Sequence, residues 1–171
     1  MQILSPFREK GEAASEQLNR AIRERVNPFR SVEEEVKIGS RTFRVHDRVM
    51  QTKNTEKVSN GDLGFITGIT TGGKGERLVQ MDFGGDRKLT YTPEQLAHVD
   101  LAYATTIHKA MGSEFETVII PIVKAHTIML YRNLLYTAVT RAKKKSSLWG
   151  ISRFCLWRFT ARYKQAQHHA G

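Results

Sequence analysis

Apolar positions change their spacing several times along this chain, and each change marks an element. Gln2–Ser5 reads as a short strand closed by Pro6. Over residues 12–26, Leu18, Ile22 and Val26 fall four apart with Ala14 and Ala21 beside them, which is the spacing of one helical face. Asn27-Pro28 stops that helix, because proline disfavours helical geometry in the residue before it. Residues 30–40 carry Glu33, Glu34, Glu35 and Lys37 and read as a charged linker or exposed rim. From Thr42 alternation takes over: Phe43, Val45, Val49 and Gln51 suggest strands, with Asp47-Arg48 at a bend between them. Asn60-Gly61 is a turn, since both residues tolerate positive φ. Residues 63–69 form the next strand, and Gly72-Gly73 and Gly84-Gly85 punctuate two more around 78–83 and 88–91. Short strands at this spacing predict a small barrel of about five strands.

The period then changes again. Residues 93–97 read as a helical turn, and 101–106 as a strand running into a turn at His108. Residues 118–123 are almost all apolar, as a strand covered on both faces of a parallel sheet must be. Residues 128–144 read as a helix with Leu130, Leu134, Val139 and Ala142 inward and Arg132 and Lys143 outward. Residues 147–151 complete an α/β pattern, which calls for a parallel sheet with right-handed crossovers. Beyond it Phe154, Trp157, Phe159 and Tyr163 mix with Arg158, Arg162 and Lys164 in a tail to which the pattern gives no role.

Composition narrows the function. The 171 residues suffice for one ordinary domain or two small ones, and 40% of them are hydrophobic, enough for a core. A formal net charge of +10 and a pI near 9.9 favour a polyanionic partner, usually nucleic acid, over a merely soluble basic protein. Cys155 is the single cysteine, which excludes an intramolecular disulfide, argues against a cysteine-based zinc site and fits a reducing cytoplasm. No stretch approaches the ~20 apolar residues of a membrane span. The first residues lack the basic-then-apolar pattern of an export signal.

Two stretches concentrate polar chemistry between apolar segments. The first runs Tyr103-Ala104-Thr105-Thr106-Ile107-His108-Lys109-Ala110-Met111-Gly112-Ser113-Glu114-Phe115. The second runs Leu134-Leu135-Tyr136-Thr137-Ala138-Val139-Thr140-Arg141-Ala142-Lys143. Hydroxyls and a neutral imidazole suit contacts to phosphate or sugar. A glycine lets a backbone approach a phosphate closely. Each also has a plain structural use: Gly112 as a helix cap, Arg141 as a surface arginine at a helix end, His108 as a packed or exposed histidine. Lys143, Lys144 and Lys145 read either as an addition to a phosphate-binding face or, as a charge run usually is, as a solvated helix end. Gly72-Gly73-Lys74-Gly75 lacks the G-x-x-x-x-G-K-[ST] spacing and reads as a hairpin.

In the forms T-x-H-K-x-x-G-S-E-F and L-L-Y-T-A-x-T-R-A-K, these stretches resemble motifs V and VI of superfamily 1 helicases, most closely the RecD-like DNA helicases. This is the family of the exodeoxyribonuclease V α subunit. Leu4-Ser5-Pro6-Phe7-Arg8, followed by Leu18-Asn19, resembles motif IV. Arg44 to Thr52, with Asn60 to Gly64, resembles the SH3-like barrel inserted in the second motor domain of that family. The resemblance covers residues 1 to 152. It implies an incomplete RecA-like second helicase domain of the P-loop NTPase type over 1–38 and 94–152, an inserted barrel over 39–93 and an atypical tail over 153–171.

The resemblance also implies roles. Arg141 corresponds to an arginine finger, stabilising charge on the γ-phosphate from across a cleft. Arg8, Gly112 and Glu114 correspond to nucleotide contacts, the carboxylate accepting from ribose hydroxyls. Thr105, Thr106 and His108 correspond to contacts with single-stranded DNA. At Ala110-Met111 the chain departs from relatives that carry a polar residue before glutamine, which removes an amide contact. ATP with Mg2+ is the implied cofactor, held mainly by an N-terminal RecA-like half. That half, single-stranded DNA and other exonuclease subunits are the implied partners, with no membrane. The sequence contains no complete phosphate-binding loop and no D-E string after an apolar strand. The expectation is therefore the C-terminal half of a 5′-to-3′ DNA helicase that does not hydrolyse ATP by itself. The alternatives are a stand-alone basic nucleic-acid-binding module and a relative acting on RNA.

Overall fold

The computed structural model describes residues 1–9, 11, 13–122 and 132–150. They fall into two compact units: Met1–Pro6 with the described residues from Thr106 onward, and Phe7–Thr105. No helix among the described residues is long and apolar enough to cross a membrane.

The first unit is built on a sheet. Its strands are β1 (Gln2–Ser5), β10 (Phe115–Ile122) and β11 (Ala142–Gly150), with β9 (Ala104–Thr106) reaching it through Thr106. The order is β11-β10-β1-β9. β10 runs parallel to both neighbours, with Gln2 opposite Val118 on one side and Phe115 opposite Ala142 on the other. Leu4, Val118 and Ile120 are wholly buried, as the apolar run requires of a strand covered on both faces. The helix expected over 128–144 is shorter. The described part of it, α2, spans Arg132–Val139, and residues 128–131 lie outside the described residues. The Thr140 hydroxyl donates to Thr137 O at 2.9 Å and the Arg141 N–H to Ala138 O at 3.3 Å, closing the helix before Ala142 joins β10. The strand expected at 147–151 therefore starts five residues earlier, at Ala142, and Ile151 falls outside the described residues. Lys143, Lys144 and Lys145 belong to a strand rather than a helix end.

The second unit carries the short strands. β2 (Glu35–Ile38) and β3 (Arg41–Arg44) form an antiparallel hairpin. β4 (Arg48–Gln51), β5 (Leu63–Thr71), β6 (Arg77–Asp82), β7 (Lys88–Tyr91) and β8 (Val99–Leu101) form a sheet in the order β7-β6-β5-β4-β8. A 3-10 turn at Gln95–His98 occupies the place of the short helix read at 93–97. Phe43, Val49, Ile66, Val79, Met81 and Leu96 belong to one buried cluster shared by hairpin, sheet and turn. Residues 30–40, which read as a linker or exposed rim, contain β2, where Val36 is buried between the half-buried Glu35 and the exposed Lys37. The strand read at 101–106 is broken at Ala102-Tyr103 into β8 and β9.

The helix α1 (Ser15–Val26) belongs to this second unit, whereas the sequence grouped it with the α/β part. Its buried face is not the apolar stripe Leu18, Ile22, Val26; Val26 is 61% exposed. The buried positions are Ser15, Asn19 and Arg23, one residue along at the same four-residue spacing. The reason is what they face. Arg23 Nη1 donates to Thr42 O at 2.6 Å, and Asn19 donates to Leu101 O and Ala104 O. Asn27, which ends the helix, donates to Val45 O. A face packed on backbone carbonyls needs donors, not methyl groups.

Gly64 on β5 has no room for a side chain. A Cβ there would lie 2.8 Å from Asp82 O and 2.8 Å from Phe83 Cδ1. Gly64→Ala is expected to destabilise the chain by about 1–3 kcal/mol, seen as a lower urea midpoint with an unchanged denaturant slope.

Candidate functional site

The turn after β9 is shaped by its own backbone. The Lys109 N–H donates to Thr106 Oγ1 at 3.2 Å and the Ala110 N–H to Thr106 O at 3.1 Å, so Thr106 caps the turn as a threonine caps a helix. The Met111 N–H donates to His108 O and the Ser113 N–H to Ala110 O. Gly112 closes the turn at φ +86°, a conformation that disfavours any side chain, and among the described residues other than itself and its two chain neighbours no heavy atom lies within 4 Å of where its Cβ would be. Ile107 and Ala110 are buried, while His108, Lys109, Met111 and Gly112 face outward. The alanine at the departure from the family pattern is thus a packing residue, and Met111 is exposed beside it.

The chain then enters β10, and the second stretch arrives beside it. The Phe115 N–H donates to Arg141 O at 2.8 Å, so Glu114 and Arg141 sit at the adjacent starts of two parallel strands. Arg141 lies in the turn between α2 and β11, not within a helix. Its Nε is buried and has no hydrogen-bond partner among the described residues. Lys143 Nζ lies 3.0 Å from Glu114 Oε2, with both side chains more than half exposed. The lysine run hid this partner, because its spacing could be followed as one more helical turn. Glu114 and Arg141 are therefore neighbours at the starts of two paired strands, with Gly112 two residues before Glu114, on the same unit as Thr106 and His108.

Arg8 and Thr105 belong to the other unit. Phe7 O and Arg8 O accept the Ser15 and Glu16 N–H groups at the start of α1. The exposed Arg8 guanidinium donates to Glu16 Oε1 at 3.0 Å, and that hydrogen bond raises its pKa. Thr105 is buried, with its hydroxyl 4.0 Å from Met50 Sδ. As it stands, Thr105 lacks the exposed hydroxyl that a phosphate contact needs. Thr106 is also buried and spends its oxygen on the Lys109 N–H, which leaves His108 as the outward-facing member of the three.

The second unit holds a polar cluster that the sequence pattern does not single out. Asp47 is wholly buried. Its carboxylate accepts from Asn27 Nδ2 at 2.9 Å, from the Tyr103 hydroxyl at 2.9 Å and from the Arg44 N–H at 2.8 Å, with Arg23 Nη1 at 3.9 Å. Burial pushes the Asp47 carboxyl up against the opposing pull of those hydrogen bonds. Burial, and then the neighbouring carboxylate, push the Tyr103 phenol well above its ordinary range, so it remains a donor. The sequence pattern places Asp47 only at a bend between strands. The signal that could have revealed the cluster is the polar series Ser15, Asn19, Arg23, Asn27 at helical spacing.

Comparison with known proteins agrees with this layout. Residues 18–83 match the ATP-dependent RecD-like DNA helicase SH3 domain, and residues 101–149 match the UvrD-like helicase C-terminal domain. The chain is 35% identical to the ATP-dependent RecD2 DNA helicase of Deinococcus radiodurans, over 99% of this chain and 22% of that protein. It is 37% identical to the RecBCD enzyme subunit RecD of Mycobacterium tuberculosis, over 52% of this chain and 15% of that subunit. The chain thus spans about a fifth or less of the length of these relatives. Among solved structures, the Pif1 helicase from Candida albicans overlays with a TM-score of 0.56 at 15% identity, over 92% of this chain and 47% of that one. Bacteroides Pif1 bound to single-stranded DNA overlays with a TM-score of 0.52 at 21% identity, over 90% of this chain and 41% of that one. These overlays speak to the fold alone. With an SH3 match and a helicase C-terminal match on successive parts of one sequence, the chain belongs to the RecD-like superfamily 1 helicases and carries their C-terminal motor portion.

Proposed function

We propose that this chain is the C-terminal motor half of an ATP-dependent 5′-to-3′ DNA helicase, acting on ATP held mainly by an N-terminal RecA-like half. The observation that carries the reading is the hydrogen bond from the Phe115 N–H to Arg141 O, which seats Arg141 beside Glu114 and Gly112. In this reading Arg141 neutralises charge that develops on the γ-phosphate oxygens. Gly112 offers a backbone surface that a phosphate can approach, and Glu114 accepts from the ribose hydroxyls once Lys143 gives it up. Arg8 is a second cation for the phosphates. His108, on the turn capped by Thr106 and three residues after Thr105, holds the backbone of single-stranded DNA without reading its sequence. The reading assigns Mg2+, with the phosphate-binding loop, mainly to the partner half.

The test is ATP turnover by the purified 171-residue chain with magnesium and oligothymidine. The expected result is no turnover above the buffer background. Turnover that disappears in Arg141→Ala would overturn the assignment of the phosphate-binding loop to a separate half.

A further inference from the structure

We propose that Asn19 is a positioning residue for the single-strand contact, acting through Ala104 on the turn that bears His108. This rests on the reading of His108 as a DNA contact. Asparagine is a poor residue for a helix interior, because its amide competes with the helix for hydrogen bonds. Asn19 nevertheless sits inside α1, nearly fully buried. Its amide is used completely. Oδ1 accepts the Ala104 N–H at 2.7 Å, and Nδ2 donates to Ala104 O at 2.9 Å and to Leu101 O at 3.2 Å.

An N–H and a C=O of one residue taken by one amide is the pairing that a neighbouring strand would make. β9 is the last strand in its sheet order. Asn19 thus stands in for a strand along the edge of β9 at Ala104. Tyr103, one residue earlier, is fixed by its hydroxyl on Asp47 Oδ1 at 2.9 Å. Asn19 and Asp47 together hold Ala104 by its backbone and Tyr103 by its hydroxyl. Two residues later Thr106 caps the turn, so the orientation given to Ala104 passes along three residues of strand to His108.

The experiment is a double-mutant cycle on the whole chain, with a fluorescein-labelled oligothymidine and anisotropy as the readout. Asn19→Ala removes both halves of the amide pairing while favouring helix. If Asn19 acts through the turn, it weakens binding about fivefold, the effect of one lost hydrogen bond, and changes nothing further in a His108→Ala background. Equal effects in both backgrounds, or no effect in a chain that melts cooperatively, would overturn the proposal. Should Asn19→Ala fail to fold, Tyr103→Phe carries the same cycle, because it deletes one hydroxyl and keeps the ring. If His108→Ala binds as tightly as the unaltered chain, the reading of His108 falls and this inference falls with it. If His108→Ala weakens binding and the Asn19 and Tyr103 variants do not, only this inference falls.

Discussion

Arg141→Ala, made in this chain joined to a matching phosphate-loop half, is expected to lower the kcat for ATP by about a thousandfold or more, the range measured for arginine fingers. The apparent KM is expected to move only a few-fold, because the charge that Arg141 meets develops in the transition state. The sheet should survive the change, since the pairing at this point uses backbone groups. Phe115 bonds to the Arg141 carbonyl, and the Arg141 N–H bonds to Ala138 O, in either variant. Arg141→Lys should recover little, because an ammonium lacks the planar fork that spans two phosphate oxygens. Steady-state kinetics on the three proteins reads this directly. A kcat within about tenfold of the starting protein in Arg141→Ala would remove the finger from the mechanism.

Asp47→Ala is the substitution expected to cost most in stability, about 3 kcal/mol. The Tyr103 hydroxyl and the Arg44 N–H lose their acceptor, and the Asn27 side-chain amide keeps its bond to Val45 O but loses the one to Asp47. The loss should depend on pH in a definite sense. Burial raises the folded carboxyl above its unfolded value, so the stability contributed by its titration is present in full below the unfolded value, near pH 4. It is lost as pH rises through the folded value, and alanine has no such titration. The gap between the two proteins is therefore widest in acid and narrows toward neutrality. Urea unfolding at a series of pH values measures it. A gap that widens with rising pH would mean that the hydrogen bonds outweigh burial at Asp47.

How much of this was legible depended on whether a residue's partner was local. β1, β7 and Gly61 in its left-handed turn follow from spacing and turn chemistry alone, and the structure has them where the pattern put them. Of the five strands read between Thr42 and Tyr91, four lie in the second unit's five-stranded sheet, while the one around Phe43 pairs with β2 instead and β8 takes the fifth place. The grouping of Gly112, Glu114 and Arg141 came from the family resemblance. Spacing could not supply it, because the pairing of Phe115 with Ala142 joins residues far apart in sequence. The misreadings share one cause. Leu18, Ile22 and Val26 form a proper apolar stripe, yet α1 turns Asn19 and Arg23 to the carbonyls of distant strands. Ala142 and the lysines after it continue a helical period, yet β10 recruits them as a strand. Glu33 to Glu35 look like a linker, yet Val36 and Ile38 face the hydrophobic cluster. In each case a long-range partner overrode the local preference.

The most direct test of the central claim is to mix the purified chain with a matching N-terminal half carrying the phosphate-binding loop, and to follow ATP hydrolysis with and without oligothymidine. Turnover that is absent from either half, arises on mixing, increases with the oligonucleotide and is lost with Arg141→Ala is the expected result. A mixture that forms a complex, binds the oligonucleotide and still leaves ATP intact would contradict it, and would make this chain a binding module rather than half of a motor.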